Sequence, residues 1–182
     1  MALDLTSACT LYHNNPILAE PLNYLLIRKE LAVTHKPTSP ADFPQTEPVF
    51  CHNNFHLFGT EIILNYLEEI FPEPPLLPGP PAERALHRMI IEQILTEWYP
   101  LDNNYLLIRK ANDSIDALKR TQFFLSPTVA AIDCFLYPIM KRIATQPGPH
   151  PRIRQYTKDL TQAFTPKDPF EIFDMIGIFS LL

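Results

Sequence analysis

The sharpest alternation of apolar and polar positions lies between residues 60 and 70. Ile62, Ile63, Tyr66, Leu67 and Ile70 recur at helical spacing, and Glu61, Asn65, Glu68 and Glu69 fall on the other side. The pattern predicts an amphipathic helix that Thr60 can cap through its hydroxyl. Pro72 cannot continue that helix, and Pro74, Pro75 and Pro78 hold the following segment extended.

Upstream, the pattern is mixed. Thr10-Leu11-Tyr12 predicts a short strand ended by His13-Asn14-Asn15-Pro16. A helix follows from Pro16 to about Glu30 with Ile17, Leu18, Leu22, Leu25 and Leu26 buried, its first regular turn pushed downstream by Pro21. Leu31-Ala32-Val33-Thr34 reads as a second strand. Val49–His52 and Phe55–Phe58 flank Asn53-Asn54, a pair that tolerates positive φ, which predicts a two-residue hairpin turn. Downstream of Pro81 the strand pattern disappears. A long helix opens at Ala82-Glu83-Arg84 with Leu86, Met89, Ile90, Ile94, Leu95 and Trp98 inward, and ends or kinks at Pro100. Tyr105 to Lys110 is helical, Asn112-Asp113-Ser114 offers a cap before Ile115-Asp116-Ala117-Leu118, and a helix opens at Ser126-Pro127 that is apolar on nearly every side. A last amphipathic helix runs from Arg152 to about Phe164, and the apolar tail from Phe170 to Leu182 is expected to pack back on the body.

The expected fold class is therefore an α/β thioredoxin-like N-terminal domain over residues 1–71, a proline-rich linker over 72–81 and an all-α domain over 82–182. With 182 residues, 46% of them hydrophobic, the chain can bury a substantial core. No apolar run approaches the roughly 20 residues of a membrane span, and the N-terminus lacks a basic stretch followed by an apolar one, so a cytoplasmic protein is expected. Cys9, Cys51 and Cys134 are odd in number and far apart, which argues for reduced thiols. A net charge of −5 is the wrong sign for gripping nucleic acid unaided.

This plan is similar to that of the glutathione S-transferase superfamily. Glu47-Pro48-Val49 before the hairpin resembles the family's cis-proline site, the helix leading into Pro72–Pro78 its interdomain junction, and Ser126 to Pro138 with Asp133 its buried core helix. Within the superfamily the chain resembles the stringent starvation protein A group. The residues that carry this are Thr96-Glu97-Trp98-Tyr99-Pro100, Phe124-Leu125-Ser126 and Ile132-Asp133-Cys134-Phe135-Leu136-Tyr137-Pro138. Tyr66-Leu67-Glu68-Glu69 with Phe71-Pro72-Glu73-Pro74-Pro75 adds to them. Two departures stand out: the stretch between Trp98 and Phe123 is short, and Ala130 occupies the capping-box position normally held by Ser or Thr.

The resemblance implies a glutathione site at Tyr12, Pro48, Val49 and Thr60. The residues qualify it. Between Tyr12 and Tyr24 there is no Ser, Thr or Cys to hold a thiolate, and no Cys-x-x-Cys occurs. Tyr12 reads either as a strand residue packed on the sheet or as a catalytic phenol. Gly59 stands where the family has an acidic ammonium partner beside Thr60, which favours a structural role for Thr60. Cys51, His52 and His56 could bring at most two ligands together across the hairpin, short of the four a closed zinc site needs, so no metal is assigned to them. No cofactor is expected.

The function implied by the resemblance is that of a non-enzymatic transcription regulator that associates with RNA polymerase and other transcription proteins under starvation or stress, without contacting nucleic acid directly. Its partner-binding surface would be Phe71, Pro72, Glu73 and Pro74, although these prolines serve equally as a rigid linker. A homodimer, or a heterodimer with a relative, is expected by the same analogy, through the first domain and the long helix. The alternative is a glutathione S-transferase using Tyr12 to activate glutathione.

Overall fold

The computed structural model describes residues 9–37, 48–53, 55–114, 116 and 121–165, without the side chains of 16–18. Glu47, Asn54, Ile115, Ala117, Leu118, the tail from Phe170 to Leu182 and the side chains of Ile17 and Leu18, all named above, lie outside that description. The described residues divide into two compact units, one ending at Glu73 and the other running from Pro74 to Thr165.

The first unit is a four-stranded mixed sheet with helices. Strands β1 (Cys9–Tyr12), β2 (Val33–Lys36), β3 (Val49–His52) and β4 (Phe55–Phe58) lie in the order β2-β1-β3-β4. β1 pairs parallel with β2 and antiparallel with β3, and β3 pairs antiparallel with β4. The hairpin has the register expected from the sequence, His52 opposite Phe55 and Cys51 opposite His56, with Asn53 at φ 58°. The parallel β1–β2 pair is joined by helix α1 (Pro16–Arg28), which buries Ala19, Leu22, Leu25 and Leu26.

Several local expectations are corrected. Pro21 does not delay α1; it sits inside a helix that already starts at Pro16. β2 begins two residues later than the apolar pattern suggested, because α1 needs those residues to end. Glu30 takes φ 56°, its N–H bonds to Ile27 O and that of Leu31 to Leu26 O, the two bonds of a Schellman stop. Helix α2 (Thr60–Ile70) is capped by Gly59 at φ 87° with no side-chain capping bond, so Thr60 is the first helical residue and not the cap. Ile63, Leu64 and Leu67 form its buried stripe, while Ile62 is 58% exposed.

The second unit is helical: α3 (Pro81–Gln93), α4 (Asn104–Asp113), α5 (Ala131–Ala144) and α6 (Pro151–Phe164). Gly79 at φ 93° turns the chain into α3 in a left-handed conformation that side chains rarely adopt, which favours glycine there. α3 passes into a π-helical turn, Ile94–Trp98, in which Tyr99 N–H reaches Ile94 O at 3.1 Å. His87, Ile91, Ile94 and Trp98 are buried, while Leu86 and Met89, expected inside, are exposed. Asn103 caps α4 by accepting from Tyr105 and Leu106 N–H, and Asn112, expected as a cap, lies within the helix and bonds Gly148 O and His150 N–H.

α5 is the core of this unit, with ten of its fourteen residues buried. It starts at Ala131 and not at Ser126, whose hydroxyl instead accepts from Thr128 N–H in the preceding turn at 3.1 Å. Asp133, fully buried, keeps its own half of the capping box. One carboxylate oxygen accepts from Ala130 N–H at 2.8 Å, and the other accepts from Phe124 N–H at 2.9 Å and from Tyr156 O–H at 2.6 Å. The reverse half of a capping box therefore survives without the forward half.

Candidate functional site

The sheet register gathers the four positions of the implied glutathione site. Tyr12 stands opposite Val49 across β1–β3, and Val49 stands opposite Phe58 across β3–β4, so the three form one row. Pro48, buried, leads into the end of β3 in that row, and Thr60 follows two residues after Phe58. The sequence thus delivers Tyr12, Pro48, Val49 and Thr60 to one end of the sheet. What it delivers in chemistry is thinner. Val49 is fully buried and apolar, Tyr12 is half-buried with the Lys36 ammonium 6.0 Å from its ring centre, and Thr60 is half-buried at the start of α2.

The thiols of this unit are not poised for reaction. Burial pushes the Cys9 thiol above the ordinary range, with the neighbouring Cys51 adding to it, and burial raises Cys51 as well. Paired positions share a face, so Cys9 lies with His52 and Cys51 with Thr10, on opposite faces of the sheet. Cys51 Sγ donates to Asn53 O at 3.0 Å, and the His52 ring is bonded to Tyr66 Oη at 2.8 Å, so the three hairpin residues do not converge.

The proline segment after α2 is held at both ends. On the first-unit side, the fully buried ammonium of Lys29 pairs with Glu68 at 3.0 Å and donates to the carbonyl oxygen of Phe71. The Phe71 ring packs against His52, centroids 5.5 Å apart. Burial pushes the Lys29 amine below its usual pKa, and the Glu68 carboxylate opposes that shift. The apolar pattern of α2 puts Glu68 on the solvent side and so misses this clamp; an Arg28-Lys29 pair at a helix end gives no hint of which cation turns inward. On the second-unit side, Leu76 and Leu77 are buried, and Leu76 O accepts from Ala131 N–H at 2.7 Å. Between these anchors Pro72 and Glu73 are exposed and Pro74 and Pro75 half-exposed. With φ fixed at each proline, the segment presents a stiff outward edge.

No family model matches the chain. It is 27% identical over 111 residues to a stringent starvation protein A homolog of Histophilus somni, and 28% over 113 residues to that of Haemophilus ducreyi. The chain spans about half the length of these curated relatives, 52% and 51% respectively, and the matches cover 54% and 53% of it. Among solved structures, it is similar to maleylacetoacetate isomerase from Anaeromyxobacter dehalogenans, with TM-score 0.73 at 20% identity over 92% of this chain and 96% of that one. That enzyme was crystallised with dicarboxyethyl glutathione and citrate in its active site. A glutathione S-transferase from Rhodospirillum rubrum gives TM-score 0.69 at 19% identity, covering 88% and 89% of the two chains. The chain has the glutathione S-transferase fold, and its sequence is similar to those of stringent starvation protein A homologs.

Proposed function

We propose that this protein is a non-enzymatic transcription regulator of the starvation or stress response, built on a glutathione S-transferase fold, that docks on RNA polymerase through Phe71, Pro72, Glu73 and Pro74. The observation that carries the reading is the anchored proline segment. Lys29 and His52 secure Phe71, buried Leu76 and Leu77 secure the far end, and Pro72 and Glu73 are left to solvent. A surface already fixed in φ loses little conformational freedom on binding. The similarity to stringent starvation protein A homologs supplies the partner class, and the net charge of −5 suits contact with a protein and not with DNA.

The same reading treats Tyr12, Pro48, Val49 and Thr60 as a vestigial glutathione site. Gly59, where the family has an acid, leaves the ligand's ammonium one partner short. Pairing with a second copy or a relative is part of the proposal: Phe55, Phe58 and Ile62 of the first unit and Leu86 and Met89 of the second are exposed apolar side chains. We infer a cytoplasmic location from the similarity to stringent starvation protein A homologs.

The test is direct capture of purified RNA polymerase by the full-length chain, beside retention on immobilised glutathione. Polymerase capture without glutathione turnover is the expected result. Conjugating activity that disappears in Tyr12→Phe, with no polymerase capture, overturns the reading in favour of a glutathione S-transferase.

A further inference from the structure

The second unit holds a cavity of about 310 Å³ that none of the glutathione-site positions lines. Its apolar wall is built from Ile90 of α3, Ile94 and Trp98 of the π turn, Phe124 before α5 and Leu136 within α5. Positions four apart on an α-helix drift about 40° round its axis. The wider turn from Ile94 to Trp98 takes that drift back, so Ile90, Ile94 and Trp98 stay on one line beside the cavity. Single π turns of this kind recur at functional sites. Phe124 is fixed independently, its N–H bonded to the Asp133 carboxylate at 2.9 Å.

The polar part of the lining is electrically lopsided. Lys110 is neutralised by Glu97 at 2.8 Å, and Gln93 donates to the same carboxylate at 3.4 Å. Asp113, one turn further along α4, also lines the cavity and has no hydrogen bond or ion pair among the described residues. It is the last residue of α4, where unshared carbonyls already make the helix end negative. From this arrangement we propose that the cavity binds an amphipathic organic cation, an aromatic ring on a short chain that ends in a primary ammonium. The ring packs against Ile94, Trp98 and Phe124, and the ammonium pairs with Asp113 at the mouth. Aromatic faces in the wall favour a cation further. An anionic ligand meets the opposite conditions, because Lys110 is already closed by Glu97 and Asp113 repels it. The volume matches the lower end of small-molecule sites, roughly 300–1,000 Å³. The site stands whether or not the proline edge meets RNA polymerase.

Trp98, the chain's single tryptophan, lines the cavity and reports its occupancy by fluorescence. Titration of the full-length chain with 2-phenylethylamine should give a saturable change in that emission. Its carboxylate counterpart, 3-phenylpropionate, should bind several-fold more weakly or not at all. Asp113→Asn changes an exposed residue and should weaken the amine about two- to fivefold, the span of an exposed ion pair. That difference should shrink at high salt. Ile90→Phe adds bulk to the wall and should weaken the amine through shape instead of charge, and circular dichroism checks that both variants are folded. No saturable response to the amine, equal affinity for the carboxylate, or an amine affinity unmoved by Asp113→Asn overturns the site.

Discussion

Asp133 ties three backbone and side-chain donors to the start of α5, and its removal should unfold the second unit far more readily than burial area alone suggests. In Asp133→Ala, the N–H groups of Ala130 and Phe124 and the O–H of Tyr156 lose their acceptor inside the protein. Each orphaned buried donor costs about 1–3 kcal/mol, so the three reach several kcal/mol against a typical domain total of about 5–15 kcal/mol. An opposing effect reduces this loss. Burial raises the Asp133 carboxyl from 3.8 to about 6, although hydrogen bonds from Tyr156, Ala130 and Phe124 hold it down. A rise of that size corresponds to about 3 kcal/mol of strain when the group is ionised near neutral pH, and the alanine variant is relieved of it. A net loss of a few kcal/mol remains at neutral pH. The folded pKa lies above the unfolded one, so the carboxyl's contribution is fully present below about pH 4 and is lost as pH rises through about 6. The gap between wild type and Asp133→Ala should therefore widen as the solution is acidified from about pH 7.5 to about pH 4.5. Urea unfolding followed by the fluorescence of Trp98, the chain's single tryptophan and a buried residue of the second unit, reads this directly. Tyr156→Phe should cost about 1.5–3 kcal/mol in wild type, as for a bond to a charged acceptor, and little or nothing in the Asp133→Ala background. Additive costs in that cycle, or a gap that is flat or shrinks on acidification, would refute the reasoning.

Four further outcomes are expected. Lys29→Met should cost about 3–5 kcal/mol in the unfolding of the first unit by leaving Glu68 without its buried cation, and Lys29→Met/Glu68→Leu should recover much of it, both measured by urea unfolding. Glu30→Gly should stabilise by about 0.5–1 kcal/mol in the same assay, because a non-glycine residue holds the left-handed position that ends α1. Ile62→Glu with Met89→Glu should shift the chain to a smaller species in sedimentation if these exposed apolar residues meet a second copy, and should leave circular dichroism unchanged. Tyr12→Phe should leave any weak glutathione binding unaltered in calorimetry, since the vestigial reading gives the phenol no role at the sulfur.

The sequence made the pattern-driven parts of this fold legible. The hairpin register was legible because two adjacent residues tolerant of positive φ between two apolar runs leave few alternatives, and the apolar run in α5 had to be a buried helix. Other features turn on competition between nearly equal choices. Ser126-Pro127 has every mark of a helix start, yet Asp133 organises the turn from downstream by bonding Phe124 and Ala130 together, and the helix opens at Ala131. Asn112 reads as a cap for the segment after it, but it lies inside α4 and is bonded to Gly148 and His150, while Asn103, the cap of α4, is not singled out by the sequence pattern. The π turn at Ile94–Trp98 rotates the helix face by one residue, which a fixed period cannot anticipate. Of the glutathione-site positions, strand order could be read but not the burial of each side chain. The Lys29 clamp on Phe71 joins residues 42 apart in sequence, so no local pattern announces it.

The docking edge is tested most directly by binding isotherms of purified RNA polymerase to the full-length chain and to its Pro72→Ala/Pro74→Ala variant. Freeing φ at two positions costs about 1–2 kcal/mol of binding before any lost contact, so the variant should bind about tenfold more weakly, with circular dichroism confirming that it is folded. Superimposable isotherms for the two proteins would contradict the assignment of this edge as the surface that meets the polymerase.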